Sequence, residues 1–386
     1  MRKKSGPFDF RIIVKCTRRC NFRCQYCTDK RDGIENDMPF EVLAAIHHKL
    51  GEMKDTKNIQ IIWHGGEPLL LGIKFFEKAL FLQQKMLSPN QSITNVIQSN
   101  ASLIDESYAK FFKMAGFHFG ISLDGPPEIH NRNRRLCNGE DSYELTTRGI
   151  SLLEREGLSY GILTVLNWHA LEYGPAKMWE FYKEHNFKRF GLLSLRKAFN
   201  NDAEFRRYNK RYGKFMSELF YLWMKEDDKE IKIREYLSKL DMFLGLPSRL
   251  CRDGGPCVGK YFGIEPDGTI YHCDKFVGKN RWKLGNVMTD SFMEFMHSDK
   301  IELLKKHEKE IRKRCINCEW HHLCRGGCLS DTIDLTQADA NFGTDDCVQY
   351  MLYKTIGEFL AKSPPIIQKV IDELTADENV PCVNFH

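Results

Sequence analysis

The sequence predicts an α/β fold that is built on a parallel sheet and followed by a smaller cysteine-rich region. Three observations lead to this prediction. From Arg11 to about residue 195, short β-rich runs alternate with longer amphipathic stretches. From about 203 to 245 the pattern is helical, and after Cys251 it changes to cysteines, glycines and short polar turns. Alternation of strands and helices indicates βα units, because parallel neighbours need crossover connections.

Six β-rich runs predict the strands, namely RIIVK, IQIIW, TNVIQ, FHFGISL, SYGILTV and FKRFGLL. The stretches between them, such as PFEVLAAIHHKLGEM and IKFFEKALFLQQKML, repeat their apolar residues every three or four positions, which is the helical period. Six such units predict a partial (βα)6 barrel of the TIM type over residues 1–200. We expect a helical linker over 201–246 and a cysteine-rich domain over 247–386, because LGLPSR interrupts the helical pattern near 246.

Composition narrows the class of protein. The chain has 386 residues, 42% of them hydrophobic, and a net charge of +5 that is spread over many charges of both signs, which gives little support to a nucleic-acid partner. Neither an apolar signal segment nor a run of about 18 uncharged apolar residues is present, so we expect a soluble, cytoplasmic protein without a membrane partner. Fourteen cysteines in such a chain indicate metal or cluster ligation rather than disulfides.

The first group of cysteines follows the first predicted strand as Cys20-x3-Cys24-x2-Cys27. Three thiolates in one tight loop can hold three irons of a cubane cluster and leave the fourth iron without a protein ligand. A structural zinc loop is the alternative, although zinc sites usually pair their ligands as CxxC. Cys16 lies at the end of the strand and is expected to be a packed thiol.

This CxxxCxxC loop resembles the signature of the radical S-adenosylmethionine (SAM) superfamily. The resemblance implies a [4Fe-4S] cluster whose open iron binds SAM, and cleavage of SAM to a 5′-deoxyadenosyl radical. Further residues at the ends of predicted strands resemble those that line the family's SAM pocket: Gly65, Gly66, Glu67, Ser99, Asn100, Ser122, Asp124 and Arg134. Thr28 follows Cys27 where many relatives place an aromatic residue, so Tyr26 is the expected aromatic contact for the adenine.

The second group of cysteines resembles the SPASM domain of radical SAM enzymes. Its pattern is Cys251-x5-Cys257-x15-Cys273, then Cys315-x2-Cys318-x5-Cys324-x3-Cys328, and finally Cys347. The resemblance implies crossed ligation of two auxiliary clusters, and therefore three [4Fe-4S] clusters in all. One set of ligands would be Cys251, Cys257, Cys273 and Cys328, and the other Cys315, Cys318, Cys324 and Cys347. A zinc ribbon is the alternative for the CxxC pair.

Asp274, next to Cys273, is the candidate catalytic base. The segment from Tyr271 to Asn286 resembles the corresponding part of anaerobic sulfatase-maturating enzymes, and the resemblance implies that the aspartate at this position removes a proton. An N-cap or a solvated turn carboxylate is the alternative interpretation.

These features predict an enzyme that oxidatively modifies a residue within a peptide or protein substrate. Within that class, His64 before the paired glycines and the stretch CDKFVG resemble relatives that crosslink ribosomally made peptides. A crosslink in such a peptide is therefore favoured, and conversion of cysteine or serine to formylglycine is the alternative. A dehydrogenase for a small metabolite and a zinc-binding interaction protein are further alternatives. We expect an external electron donor such as flavodoxin or ferredoxin. Barely ten residues precede the first strand, so we expect no leader-binding domain before the barrel.

Overall fold

The structure is a computed structural model that describes residues 9–29, 36–195, 202–226, 228–253, 257–331 and 347–362. Cys382 lies outside these residues. In the part of the chain that is described, no helix combines the length and the apolar character needed to cross a membrane.

The six predicted strands are confirmed and lie parallel, in sequence order, in one sheet. They are β1 (Phe10–Thr17), β2 (Asn58–Gly65), β3 (Ser92–Ser99), β4 (His118–Ser122), β5 (Tyr160–Leu166) and β6 (Arg189–Ser194). Side chains alternate between the two faces of the sheet. Ile12 and Val14 belong to the large core that includes the helices, whereas Ile13 packs with Ile62 and Val96 on the other face. Lys15 lies two residues after Ile13 and therefore faces the same side of the sheet as Ile13.

Helices connect the strands as the apolar spacing predicts. They are α1 (Phe40–Glu52), α2 (Ile73–Met86), α3 (Glu106–Met114), α4 (Pro127–Asn133), α5 (Tyr143–Glu156), α6 (Trp168–Tyr173) and α7 (Pro175–Glu184). In α1, Val42, Leu43, Ile46 and Leu50 are buried, which is one helical face at spacings of three and four. After β6 come the long α8 (Asp202–Glu226) and α9 (Arg234–Phe243), with the short β7 (Lys232–Ile233) between them.

The cysteine-rich region extends the same sheet, which the sequence does not predict. Its strand β8 (Tyr261–Ile264) pairs in parallel with β1 and is followed by the antiparallel β9 (Thr269–His272) and β10 (Lys283–Asn286). The sheet order is therefore β10-β9-β8-β1-β2-β3-β4-β5-β6-β7. The remaining helices are α10 (Phe292–Met296), α11 (Asp299–Arg314), α12 (His321–Cys324) and α13 (Val348–Lys362). Since β8 lies beside β1, the residues after β9 lie close to the first cysteine loop.

Candidate active site

The first cysteine loop and the ends of the barrel strands surround one cavity. Cys20, Cys24 and Cys27 all line it. The loop is anchored to the segment after β2, since the backbone N–H of Gly66 donates to the carbonyl of Thr17 at 2.8 Å and that of Glu67 donates to the carbonyl of Arg19 at 2.8 Å. Three thiols at one end of a cavity fit a cluster that keeps an open iron.

Gly65 and Gly66 line this cavity, and the structure shows a further reason for the pair. A Cβ atom on Gly65 would lie 2.2 Å from the carbonyl oxygen of Thr17, and one on Gly66 would lie 1.9 Å from that of Arg19. Gly65 also has φ +122°, a conformation that favours glycine. The glycines therefore allow the two loops to pack together.

Glu67 is 1% exposed and is held by donors of the chain itself. The Ser99 hydroxyl donates to its Oε1 at 2.8 Å, and the Asn100 N–H donates to Oε2 at 2.8 Å. Burial raises the pKa of Glu67 to about 7, although these hydrogen bonds oppose the shift. Glu67 thus ties the end of β2 to the end of β3 while it contributes to the cavity wall.

Tyr26, Asp124 and Arg134 form a second connected group. The Tyr26 hydroxyl donates to Asp124, and the Nε of Arg134 lies 3.1 Å from the same Asp124 oxygen. The Arg134 guanidinium also lies 5.2 Å from the centre of the Tyr26 ring. Tyr26 and Arg134 line the cavity, but Asp124 is fully buried and is not part of its wall. The structure therefore places Asp124 behind the cavity wall, where it contacts Tyr26 and Arg134.

The ends of β3 and β4 supply the neutral polar part of the wall. Ser99, Asn100 and Ser122 line the cavity as predicted, together with Gln98, whose side-chain amide donates to the Ser122 hydroxyl at 2.9 Å. The Asn100 amide reaches Asn21 beside Cys20 at 2.9 Å. This contact joins the third strand to the first cysteine loop.

The cysteines of the C-terminal region gather in the two predicted sets. The pKa of the Cys257 thiol is raised by burial and then by the neighbouring Cys251, Cys273 and Cys328. That of Cys315 is raised to about 11 by burial and then by Cys347 and Cys318, and that of Cys324 to about 12 by burial, by an aspartate and by Cys347. Cys328 also accepts a hydrogen bond from Lys275 at 3.0 Å. Two separate thiol tetrads fit two fully ligated clusters.

Asp274 reaches the cavity from the C-terminal region. Cys273 follows β9 with φ +51°, and Asp274 begins a short 3-10 helix at that turn. The Asp274 carboxylate lines the cavity and forms an ion pair with Lys15 of β1. The turn after β9 therefore brings the candidate base to the first cysteine loop.

The sequence analysis did not identify the charged residues that are linked to Asp274 through Lys15. Lys15 is fully buried, and its Nζ lies 2.8 Å from Asp29, which also accepts a hydrogen bond from Arg18 at 2.9 Å. Arg18 in turn pairs with Glu265 after β8. The available signal was a lysine that directly follows the apolar residues of the run RIIVK. Its partners lie far apart in the sequence and only the fold brings them together.

Cys16 and Cys137, the other cysteines of the first part of the chain, do not line this cavity. Cys16 is fully buried, which confirms a packed thiol, and its Sγ lies 3.3 Å from the carbonyl oxygen of His64. Cys137 is exposed, and its thiol donates to the carbonyl of Cys20 at 3.2 Å.

Comparisons with known proteins agree with this architecture. The model of the radical SAM superfamily matches residues 14–171, and that of the SPASM iron-sulfur cluster-binding domain matches residues 256–319. A cysteine-type anaerobic sulfatase-maturating enzyme from Clostridium perfringens is 31% identical over 331 residues, which are 82% of this chain and 88% of the relative.

Solved structures show the same relationship. Native anSMEcpe with bound AdoMet superposes with a TM-score of 0.77 at 28% identity, covering 94% of this chain and 99% of that one. A further structure contains anSMEcpe with AdoMet and the Cp18Cys peptide. Streptococcus suis SuiB bound to its precursor peptide SuiA has a TM-score of 0.56 at 17% identity, covering 88% of this chain and 76% of that one, and shares the fold.

The two domain matches imply [4Fe-4S] clusters, and AdoMet is bound in the neighbouring structures. The thiol trio and the two tetrads are the groups that such clusters need. The chain therefore belongs to the radical SAM enzymes with a SPASM domain, in the family of the anaerobic sulfatase-maturating enzymes.

Proposed function

We propose that this enzyme oxidises a side chain within a peptide or protein, with Asp274 as the catalytic base. The observation that carries the proposal is the shared cavity. Asp274 comes from the cysteine-rich region and the trio Cys20, Cys24 and Cys27 from the start of the barrel, and all four line the same space. A proton acceptor beside the radical-generating loop is what a two-electron oxidation at carbon requires.

The ligand assignments follow from the three groups of thiols. We assign Cys20, Cys24 and Cys27 to the open cluster. The tetrads go to the auxiliary clusters, Cys251, Cys257, Cys273 and Cys328 to one and Cys315, Cys318, Cys324 and Cys347 to the other. Bound at these residues, SAM and the open cluster would supply the radical for hydrogen abstraction, and the auxiliary clusters would supply an acceptor for the remaining electron.

The chain's own residues bind and orient the reactants. We assign Tyr26, Arg134 and the wall residues Gly65, Gly66, Glu67, Ser99, Asn100 and Ser122 to the SAM site. Asp124 supports it from behind. Asp274 accepts the proton from the substrate at its carboxylate, and the buried ammonium of Lys15 keeps that carboxylate at the cavity. Burial alone would lower the pKa of Lys15, but Asp274 and Asp29 offset this and raise it, so Lys15 stays charged.

Formylglycine is the product to test first. The relatives that are about 30% identical over most of the chain are named as cysteine-type sulfatase-maturating enzymes. The likeness to SuiB, at 17% identity, supports the fold and does not favour a crosslink over formylglycine. A crosslink within a peptide, which His64 suggested from the sequence, remains the alternative product.

Mass spectrometry of a peptide after reaction separates the two products. Anaerobically reconstituted enzyme would be incubated with SAM, a strong reductant and the Cp18Cys peptide. We expect an aldehyde that a hydrazine traps, whereas a crosslink would remove two hydrogens and leave no aldehyde. The proposed function would be contradicted if the peptide stayed unchanged and if no peptide or protein accelerated SAM cleavage.

We further place the enzyme in the cytoplasm, with an external electron donor such as a flavodoxin or ferredoxin. The thirteen described cysteines are all free thiols, which is the state that a reducing compartment maintains. Reduction of the purified clusters by flavodoxin or ferredoxin, followed by spectroscopy, tests the donor.

A further inference from the structure

His64 is the penultimate residue of β2, and a ring nitrogen of His64 lies within 4.8 Å of a carboxylate oxygen of Asp274. The hydrogen-bond partners of His64 determine where its proton lies. The backbone N–H of Gly65 donates to Nδ1 of His64 at 2.7 Å. The Nζ of Lys15 lies 3.1 Å from the same Nδ1. A backbone amide and an ammonium can only donate, so Nδ1 must be an acceptor. His64 is therefore neutral and carries its proton on Nε2.

The contact between His64 and Asp29 is consistent with this tautomer. Nδ1 lies 3.3 Å from Oδ2 of Asp29, a distance that would suit an ion pair only if Nδ1 carried a proton. The ammonium of Lys15 lies 2.8 Å from Asp29 and 3.1 Å from Nδ1, so it bridges the two acceptors. Burial and the charge of Lys15 both lower the pKa of His64, which keeps the imidazole neutral.

A metal ion is the alternative to the Lys15 ammonium as the cation between these side chains. Asp29, His64 and Asp274 offer ligand atoms that all lie within 4.8 Å of one another. However, Lys15 contacts all three of these side chains with its ammonium group. The ammonium thus occupies the position that a metal ion would take, and its three N–H bonds match its three partners.

The Nε2 edge of the His64 ring, on the side opposite to Nδ1, is the edge that is available to the cavity. His64 lines the cavity with 19% of its side chain exposed, and Gly65 and Lys15 hold its Nδ1 edge. The Nε2–H donor is consequently on the ring edge that is left for the cavity, whose wall also includes Asp274. A hydrogen-bond donor and a proton acceptor side by side match the carbonyl oxygen and the reacting group of one peptide residue.

We propose that His64 is a substrate-positioning residue whose Nε2–H donates a hydrogen bond to a backbone carbonyl of the bound peptide, at the residue that Asp274 deprotonates. This inference rests on the proposed function, because it requires a peptide in the cavity. The ammonium group of Lys15 fixes the tautomer and the orientation of the His64 ring.

The test compares His64→Leu with His64→Gln, using the Cp18Cys peptide as the probe. Leucine removes the donor, whereas a glutamine carbonyl can accept from Gly65 while its amide donates into the cavity. Loss of one positioning hydrogen bond predicts a KM for the peptide that is about 5- to 10-fold higher in His64→Leu, with more 5′-deoxyadenosine released per product. His64→Gln should return to within about threefold of wild type.

His48→Leu, at an exposed position on α1, is the matched control and should behave as wild type. Iron content and melting temperature show that each variant is folded. Unchanged KM and coupling in His64→Leu, or a His64→Gln variant as defective as His64→Leu, would overturn the inference while leaving the proposed function intact. Wild-type enzyme that neither binds nor modifies any peptide would instead remove the proposed function, and this inference with it.

Discussion

Replacing Asp274 by Asn should abolish most product formation while SAM cleavage continues. The amide keeps the size of the side chain but cannot accept a proton at neutral pH. Lys15 retains Asp29 at 2.8 Å as a counterion, so the buried ammonium is not left alone and the fold should persist. A positioned general base typically contributes 10²–10⁴-fold, and we expect turnover to fall by about that factor.

The assay measures product and 5′-deoxyadenosine in the same anaerobic reaction. Asp29→Asn is the matched control, because it removes a carboxylate from the same lysine without removing the candidate base. We expect Asp29→Asn to lose much less product than Asp274→Asn. Normal product yield in Asp274→Asn, or equal losses in both variants, would refute the role of Asp274 as base.

Three further predictions concern folding and cluster assembly. Gly66→Ala places a Cβ 1.9 Å from the Arg19 carbonyl oxygen, so the first cysteine loop should open and anaerobic iron analysis should find about four fewer irons per chain. Asn167→Ala removes the side chain that accepts from the Ala170 N–H at 3.0 Å at the start of α6, and should lower the melting temperature by an amount equivalent to about 1 kcal/mol. An unchanged melting temperature would contradict the claim that the Asn167 side chain stabilises the start of α6.

The third of these predictions concerns His47. Burial in the folded chain lowers the pKa of this histidine to about 4. The folded state disfavours the proton, so stability is lost as pH falls below the unfolded value near 6.5, by about 1 kcal/mol between pH 7 and 5.5. His47→Gln should show a correspondingly smaller drop in melting temperature over that range. An identical drop in the variant would contradict this.

The sequence predicted the strands and their polar ends because both depend on local pattern. The centre of the run RIIVK is apolar and β-branched, and Ser99 directly follows the β-rich run TNVIQ, so each can be found without knowing its neighbours. The division of the C-terminal cysteines into two tetrads came instead from the resemblance to the SPASM domain. In the described residues, the thiols of each set lie close enough to raise one another's pKa.

The rest depended on contacts between distant parts of the chain. Pairing of β8 with β1 joins residues about 250 positions apart, and no periodicity records it. Asp124 could not be distinguished from a cavity residue, because its burial depends on Tyr26 and Arg134 folding over it. The role of Lys15 was hidden for the same reason, since Asp29 and Asp274 approach it only in the folded protein.

The central claim is that the trio Cys20, Cys24 and Cys27 leaves one iron open for SAM. Its most direct test is to measure iron and 5′-deoxyadenosine for anaerobically reconstituted wild type and Cys24→Ala under strong reductant. We predict that wild type contains about twelve irons and cleaves SAM, while Cys24→Ala retains about eight irons and does not cleave it. Zinc in place of iron, or continued SAM cleavage by Cys24→Ala, would contradict the claim.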